Sequence, residues 1–276
     1  MIVSTGPHNF RVSVDDTRPS PAKAVLALEH MSVDGVDDIE GLTRAGAAVA
    51  DARNTMAAHV AAGVSTRELD AIGREVLQRH GARSAPQLAY DFPGATCISV
   101  NNELAHGIPS DRILCNGDLV NIDVSAELDG YWADSGASFP VGEVKPRLRH
   151  LLFTTRAALN DAMSEARAGA PIRNIGRAVE RRAKRAGFRV VRELCGHGVG
   201  RNIHEPPNVP NTFDRRNGNV LHEGLVITIE PFLTTGATSV FEANDGWTLC
   251  TPDGSVGAQI EHTLIVTRGA PIVVTS

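Results

Sequence analysis

Apolar residues recur at three- and four-residue steps from Leu42 through Ala45, Val49, Ala52 and Met56 to Val60, the period of a helix with one buried face. Asp37-Asp38-Ile39-Glu40 has the form of an acidic N-cap followed by a glutamate, so a helix is predicted from there to about Gly63. Ser65-Thr66-Arg67-Glu68 is a second capping box; it precedes Leu69, Ile72 and Val76, and Gly81 closes that helix. The period then changes. Strand-like runs cover Thr96 to Val100, Leu119 to Val124 and Tyr131 to Phe139, the last two joined across Asp129-Gly130, a favourable hairpin turn. The second half repeats the order. Leu148, Leu151, Leu152, Leu159 and Met163 mark one helix and Ile172, Ile175 and Val179 the next, and strands follow over Leu225 to Glu230, Ser239 to Glu242 and Gln259 to Val266. Ile72-Gly73-Arg74-Glu75-Val76 and Ile175-Gly176-Arg177-Ala178-Val179 differ at one position and occupy the same helix in each half, as in a degenerate duplication. The expected fold is α+β, one catalytic domain over residues 37–276 with two pseudo-equivalent halves. Residues 1–36 show no sustained period and carry closely spaced prolines, and are expected to form an N-terminal extension.

Composition narrows the classes. With 276 residues, 42% of them hydrophobic, the chain can bury a sizeable core, and 26 Gly with 15 Pro disfavour a coiled coil or long bundle. Lys and Arg number 27 against 32 Asp and Glu, a net charge of −5, so the surface as a whole does not point to nucleic acid. Cys97, Cys115, Cys195 and Cys250 form no CxxC pair, which suits a reducing cytoplasm better than a disulfide scaffold or zinc ribbon. No apolar run is long enough to cross a membrane, and the first residues lack the basic-then-apolar order of a signal peptide. A cytoplasmic monomer is expected.

The candidate chemistry lies in carboxylates within apolar strands. In Leu119 to Ser125, alternation places Asn121, Asp123 and Ser125 on one face and Val120, Ile122 and Val124 on the other. With a two-residue turn at Asp129-Gly130, Asp123 faces Gly136, and Asp134 lies one diagonal step away on the same face. Two such acids repel one another unless a proton or a divalent cation relieves them; a solvated strand face is the alternative. Gly196-His197-Gly198-Val199-Gly200 sets a histidine among glycines, with His204 following. Ile229-Glu230-Pro231 ends an apolar strand on a carboxylate, and Gln259-Ile260-Glu261-His262 buries another. Asp123, Asp134, Glu230 and Glu261 with a neutral His197 balance two divalent cations, and a carboxylate-rich set suits Mn²⁺, Fe²⁺, Co²⁺ or Zn²⁺.

These motifs are specific. Ser99-Val100-Asn101 through His106-Gly107-Ile108-Pro109, Asn121-Ile122-Asp123 with Asp134, Gly196-His197-Gly198 with His204, Ile229-Glu230-Pro231 and Gln259-Ile260-Glu261-His262-Thr263 resemble the type I methionine aminopeptidases from about Asp37 to Thr267. That family has the pita-bread fold, helices packed on a curved antiparallel sheet, which prolidases, aminopeptidase P and creatinase share. The resemblance implies removal of the initiator methionine from nascent proteins with a small second residue. It implies a dinuclear metal centre on Asp123, Asp134, His197, Glu230 and Glu261, with Glu230 also a general base, and substrate contacts from His106 and His204. By family position Phe92, Cys97 and Trp247 form the methionine wall, with Tyr90 nearby. The chain departs from the family pattern at Ala105, Ile203, Leu194 and Thr212, none of them in the implied ligand set.

A prolidase acting on X-Pro bonds is the nearest rival, although those relatives carry a large extra N-terminal domain. An RNA- or ribosome-associated binding protein on the same fold is the rival of another class. One charge feature bears on partners. Between Arg173 and Arg189 lie seven basic residues against Glu180 alone, leaving 20 basic and 31 acidic elsewhere. Arg173, Arg177, Arg181 and Arg185 recur every four residues, a stripe that reads either as a solvated helix face or as a contact for the ribosome.

Overall fold

The computed structural model describes residues 33–276. Most of the expected extension therefore lies outside the described residues; of its end, Val33 donates its backbone N–H to Gly224 O at 2.9 Å. The first half runs α1 (Val36–Ala58), α2 (Thr66–Arg79), β1 (Arg83–Ser84), α3 (Ala85–Tyr90), β2 (Cys97–Val100), β3 (Glu103–Ala105), β4 (Leu119–Leu128) and β5 (Tyr131–Pro140). The second runs α4 (Pro146–Ser164), α5 (Arg173–Ala186), β6 (Arg189–Val190), β7 (Cys195–Gly198), β8 (Glu205–Pro210), β9 (Val226–Ile229) and β10 (Phe232–Thr234). It closes with β11 (Phe241–Glu242), β12 (Leu249–Cys250), β13 (Gly257–Gln259), β14 (His262–Ile265) and β15 (Ile272–Val273). Each half is thus a helix pair followed by antiparallel strands, and the repeated pentapeptide falls on α2 and α5. This is the α+β pita-bread arrangement with its pseudo-two-fold repeat.

Two apolar cores match the halves. One joins Val49, Met56, Leu69 and Val76 of α1 and α2 to Val120, Ile122 and Val124 of β4. The other joins Leu151, Leu159, Ile175 and Val179 of α4 and α5 to Val209, Ile227 and Ile229 of the second sheet. The sheets meet at an antiparallel bridge between Ala137 and Ile260. No helix among the described residues is long and apolar enough to cross a membrane.

Local signals explain most boundaries. The Ser65 capping box is complete, with Glu68 N–H on the serine hydroxyl and the glutamate carboxylate on Ser65 N–H. The cap expected at Asp37 does not form: α1 starts behind Gly35 with no side-chain cap, and it ends at Ala58, short of Gly63. Asp38 instead accepts from Asp34 N–H at 2.8 Å, Tyr131 OH at 2.9 Å and Arg201 at 2.5 Å, clamping the helix start to β5 and the β7–β8 loop. The strand expected over Gln259 to Val266 is split into β13 and β14, because it changes partner from β10 to β9 and Glu261 N–H leaves the ladder for Gly136 O at 2.8 Å. Ser239 to Glu242 contributes only the short β11.

Asp70 of α2 fixes the entry to β2. Buried at 4% exposure, it accepts from Ala95 N–H, Thr96 N–H and Thr96 Oγ1 at 2.9, 2.8 and 2.9 Å, and from Arg74 at 3.0 Å. Asp70→Ala strands those donors and is expected to cost about 3 kcal/mol in a urea unfolding curve. A loss under about 0.5 kcal/mol, the size of an ordinary surface substitution, would show that the cluster does not hold the entry to β2 in place.

Candidate metal centre

The long hairpin supplies two carboxylates in the register its turn implies. Asp123 pairs with Gly136 and Ser125 with Asp134, so both acids project from one face while Val120, Ile122 and Val124 fill the core beneath. On the other side Asp123 pairs with Cys97 of β2.

The second half brings the remaining groups across the sheet junction. His197 lies on β7, its N–H on Thr228 Oγ1 at 3.1 Å and its Nδ1 2.9 Å from Gly198 O. Only a protonated Nδ1 can bond to that carbonyl, so the Nε2 lone pair is free, 3.8 Å from Asp134 Oδ2 and 3.8 Å from Glu230 Oε1. The flanking glycines serve the sheet: a Cβ would stand 2.3 Å from Thr228 O at Gly196 and 2.2 Å from Pro206 O at Gly198. Glu230 follows β9 directly, and Asn211 Nδ2 donates to its carbonyl at 2.8 Å. Glu261 sits in the break between β13 and β14. Asp134, His197 and Glu261 each offer a ligand atom within 4.8 Å of the others.

A relay that sequence reasoning missed orients Glu261. Asn121 Nδ2 donates to Gln259 Oε1 at 2.8 Å, and Gln259 Nε2 donates to Glu261 Oε2 at 3.0 Å. A Cβ at Gly136 would lie 2.4 Å from Gln259 Oε1, so that glycine makes room for the relay. Alternation had already put Asn121 on the Asp123 face, which was the available signal. Behind the site, Arg53 bonds to Ser135, whose hydroxyl donates to Glu261 O at 2.8 Å.

The electrostatics are those of a crowded, dry cluster. Burial raises the Asp123 carboxyl to about 6, and Asp123 shares a hydrogen bond with Asp134, which requires a proton on one of the two. Burial, then the charges of Glu261 and Asp123, pushes Asp134 well above the carboxylate range; burial and the neighbouring acids do the same to Glu230 and Glu261. Two carboxylates about 4 Å apart repel by about 4 kcal/mol at an effective dielectric near 20, so these groups cannot all ionise unaided. Asp134 Oδ1 and Glu261 Oε1 are buried without a hydrogen-bond partner. Oxygen atoms left bare in an acidic, histidine-containing cluster fit divalent cations.

Three histidines gather beside the carboxylates. His106 follows β3 at φ 55°, and β12 pairs Leu249 with Ala105, which holds the Trp247 loop next to the His106 turn. Asp245 fixes that loop by accepting from Trp247 N–H at 2.9 Å and Thr248 N–H at 2.8 Å. His204 and His197 have ring centroids 4.3 Å apart, and Tyr90 OH is 2.5 Å from His204 Nδ1. Burial lowers His106 and His197 to about 4, so both are neutral at pH 7. Phe92 and Trp247 meet edge to face at 5.1 Å. Cys97 is next to Asp123 on the sheet, and burial, then the nearby acids, holds its thiol protonated. Ile203 is buried with Leu42, Val199 and Val226, against Tyr90.

Residues 40–268 match metallopeptidase family M24. The chain belongs to that family. It is 48% identical over 247 residues to methionine aminopeptidase 2 of Bacillus subtilis strain 168, spanning 89% of this chain and 99% of the relative. Among solved structures, this M24 chain resembles methionine aminopeptidase from Rickettsia prowazekii with a TM-score of 0.85 and 34% identity, over 89% of this chain and 100% of the other. A prolidase from Pyrococcus furiosus shares the M24 fold at a TM-score of 0.72 and 24% identity, but the match spans 91% of this chain and only 67% of the prolidase.

Proposed function

We propose that the chain removes the initiator methionine from nascent proteins in the cytoplasm when the second residue is small, with two divalent cations held by Asp123, Asp134, His197, Glu230 and Glu261. The observation that carries this reading is the convergence of those residues from both halves, with Asp134 Oδ1 and Glu261 Oε1 buried and unsatisfied. Similarity to methionine aminopeptidases over nearly the whole of the relatives' length supports the substrate class. The donor set suits Co²⁺, Mn²⁺, Fe²⁺ or Zn²⁺. When bound, such ions supply Lewis acidity to the scissile carbonyl and make water nucleophilic near neutral pH.

The protein groups do the rest. With Tyr90 OH donating to Nδ1, His204 presents Nε2–H as a donor, and neutral His106 offers a second; both serve to stabilise the developing oxyanion and orient the peptide beyond the cut. Glu230 takes up and returns a proton as general base. Phe92, Trp247 and Cys97, with Tyr90, wall the methionine side chain. Association with the ribosome through Arg177, Arg181 and Arg185, the members of the stripe not directed to Asn217, would bring the enzyme to its substrate.

Specificity tests the assignment. Met-Ala and Met-Gly peptides are expected to be cleaved at least ~10²-fold faster, in kcat/KM, than Met-Leu or Met-Lys, because bulk at the second residue meets His106 and His204. N-acetylated peptides should be resistant. Equal kcat/KM on Met-Ala, Met-Leu and Ala-Pro peptides would refute it in favour of a broader or X-Pro-directed peptidase.

A further inference from the structure

A cleft of about 670 Å³ opens between α5, β6 and the segment after β8, lined by Arg177, Arg181, Lys184, Arg189 and Arg192. All five are exposed, and none forms an ion pair among the described residues. The one acid in the lining, Glu180, is engaged by Phe213 N–H at 2.9 Å. The structure also redraws the arginine stripe. Arg173 is directed to Asn217 O at 3.1 Å, and Arg182 is neutralised by Asp161 at 2.8 Å, so the free cations are those of the cleft with Arg185 beside it. A concentration of unpaired cations in a concavity, on a chain of net charge −5, is a site for a polyanion.

The spacing and one aromatic indicate which. Arg177, Arg181 and Arg185 rise roughly 6 Å apart along the helix, a ladder that consecutive phosphates of one strand can follow. The Arg177 guanidinium lies 4.3 Å from the centroid of the Phe213 ring, which is 37% exposed at the cleft. An exposed aromatic at the edge of a basic cleft offers a surface against which a base can stack, a contact that a run of carboxylates does not use. The cleft is also apart from the metal centre. Ile227 and Ile229 of β9 face α5, while Thr228 and Glu230, alternating with them, project from the opposite face of the sheet.

We propose that this cleft binds single-stranded RNA, independently of peptide cleavage on the other side of the sheet. That the polynucleotide is RNA rests on the reading of the chain as an enzyme of nascent proteins; the test reads binding and cleavage separately, so either can fail alone. The full chain is titrated into a fluorescein-labelled 15-nucleotide oligouridylate, followed by anisotropy from 25 to 300 mM salt. Engagement of about four phosphates predicts a log–log salt slope near −3. Arg177→Glu/Arg181→Glu/Lys184→Glu should bind at least tenfold more weakly with a shallower slope, while methionine release from Met-Ala-Ser is unchanged, which shows the variant is folded. Arg189→Glu/Arg192→Glu, on the far wall, should weaken binding in the same way. Wild-type affinity in both variants, no binding at 25 mM salt, or equal displacement by polyglutamate at matched charge would each overturn the proposal.

Discussion

Glu261→Ala is expected to lose tightly held metal and at least ~10³-fold in kcat, without loss of the folded state. The carboxylate is 1% exposed, offers an unpartnered oxygen to the cluster and is aimed by Gln259. Its removal would leave the two proposed cations with one fewer negative ligand, and only interactions made with the reacting centre change kcat by such factors. Gln259→Leu removes the aim and keeps the charge. It should weaken metal binding by about 10- to 100-fold, as expected for a group that orients a ligand, and excess metal should restore most of the rate. Metal content by elemental analysis, with kcat on Met-Ala-Ser, checks both. A Glu261→Ala protein with wild-type metal content and rate would remove Glu261 from the centre.

The second large effect is on stability. In the metal-free protein the folded state holds Asp134, Glu230 and Glu261 with raised pKa values, chiefly through burial and then through one another's charge. The unfolded chain loses the same protons near pH 4, so the folded form binds more protons and its stability falls as pH rises through the folded values. His106 and His197, lowered to about 4 by burial, act in the opposite sense, gaining stability as pH rises. His204 and His262, also lowered by burial, act in the same sense, and all four imidazoles are mostly neutral in both states above about pH 7.5. Between pH 7.5 and 8.5 the carboxyl groups therefore dominate. Each carboxyl proton the fold retains over that unit of pH is worth about 1.4 kcal/mol, or roughly 3–5 °C in Tm for a domain of this size. The metal-free protein should show that decline. Protein saturated with Mn²⁺ should not, and at 1,000 times Kd it should gain about 4 kcal/mol. Calorimetry at pH 6.5, 7.5 and 8.5 with and without metal measures both. Parallel curves would contradict a metal-compensated carboxylate cluster.

Legibility in the sequence followed the range of each interaction. The Asp123/Gly136 register was readable because a two-residue turn and a period of two determine it locally, and the Ser65 box because its partners are three residues apart. Asp37 and Asp38 had the same local form, yet Tyr131 and Arg201, far off in sequence, claimed Asp38. The Gln259 to Val266 run read as one strand because nothing within it signals that the sheets meet at Ile260 and that Glu261 takes its backbone bond from Gly136. The Asn121–Gln259–Glu261 relay and the Arg53–Ser135 contact were illegible for the same reason: each joins segments that only the assembled sheet places together. Composition along α5 showed the excess of charge, but not that Arg182 is spent on Asp161 while Arg189 and Arg192 complete a cleft.

The most direct test strips the protein of metal, verifies its absence by elemental analysis, and measures free methionine released from Met-Ala-Ser while a divalent cation is returned in steps. Release should be absent from the stripped protein and recover to a plateau at about two equivalents per chain. Undiminished release with no metal present would contradict the dinuclear centre on Asp123, Asp134, His197, Glu230 and Glu261.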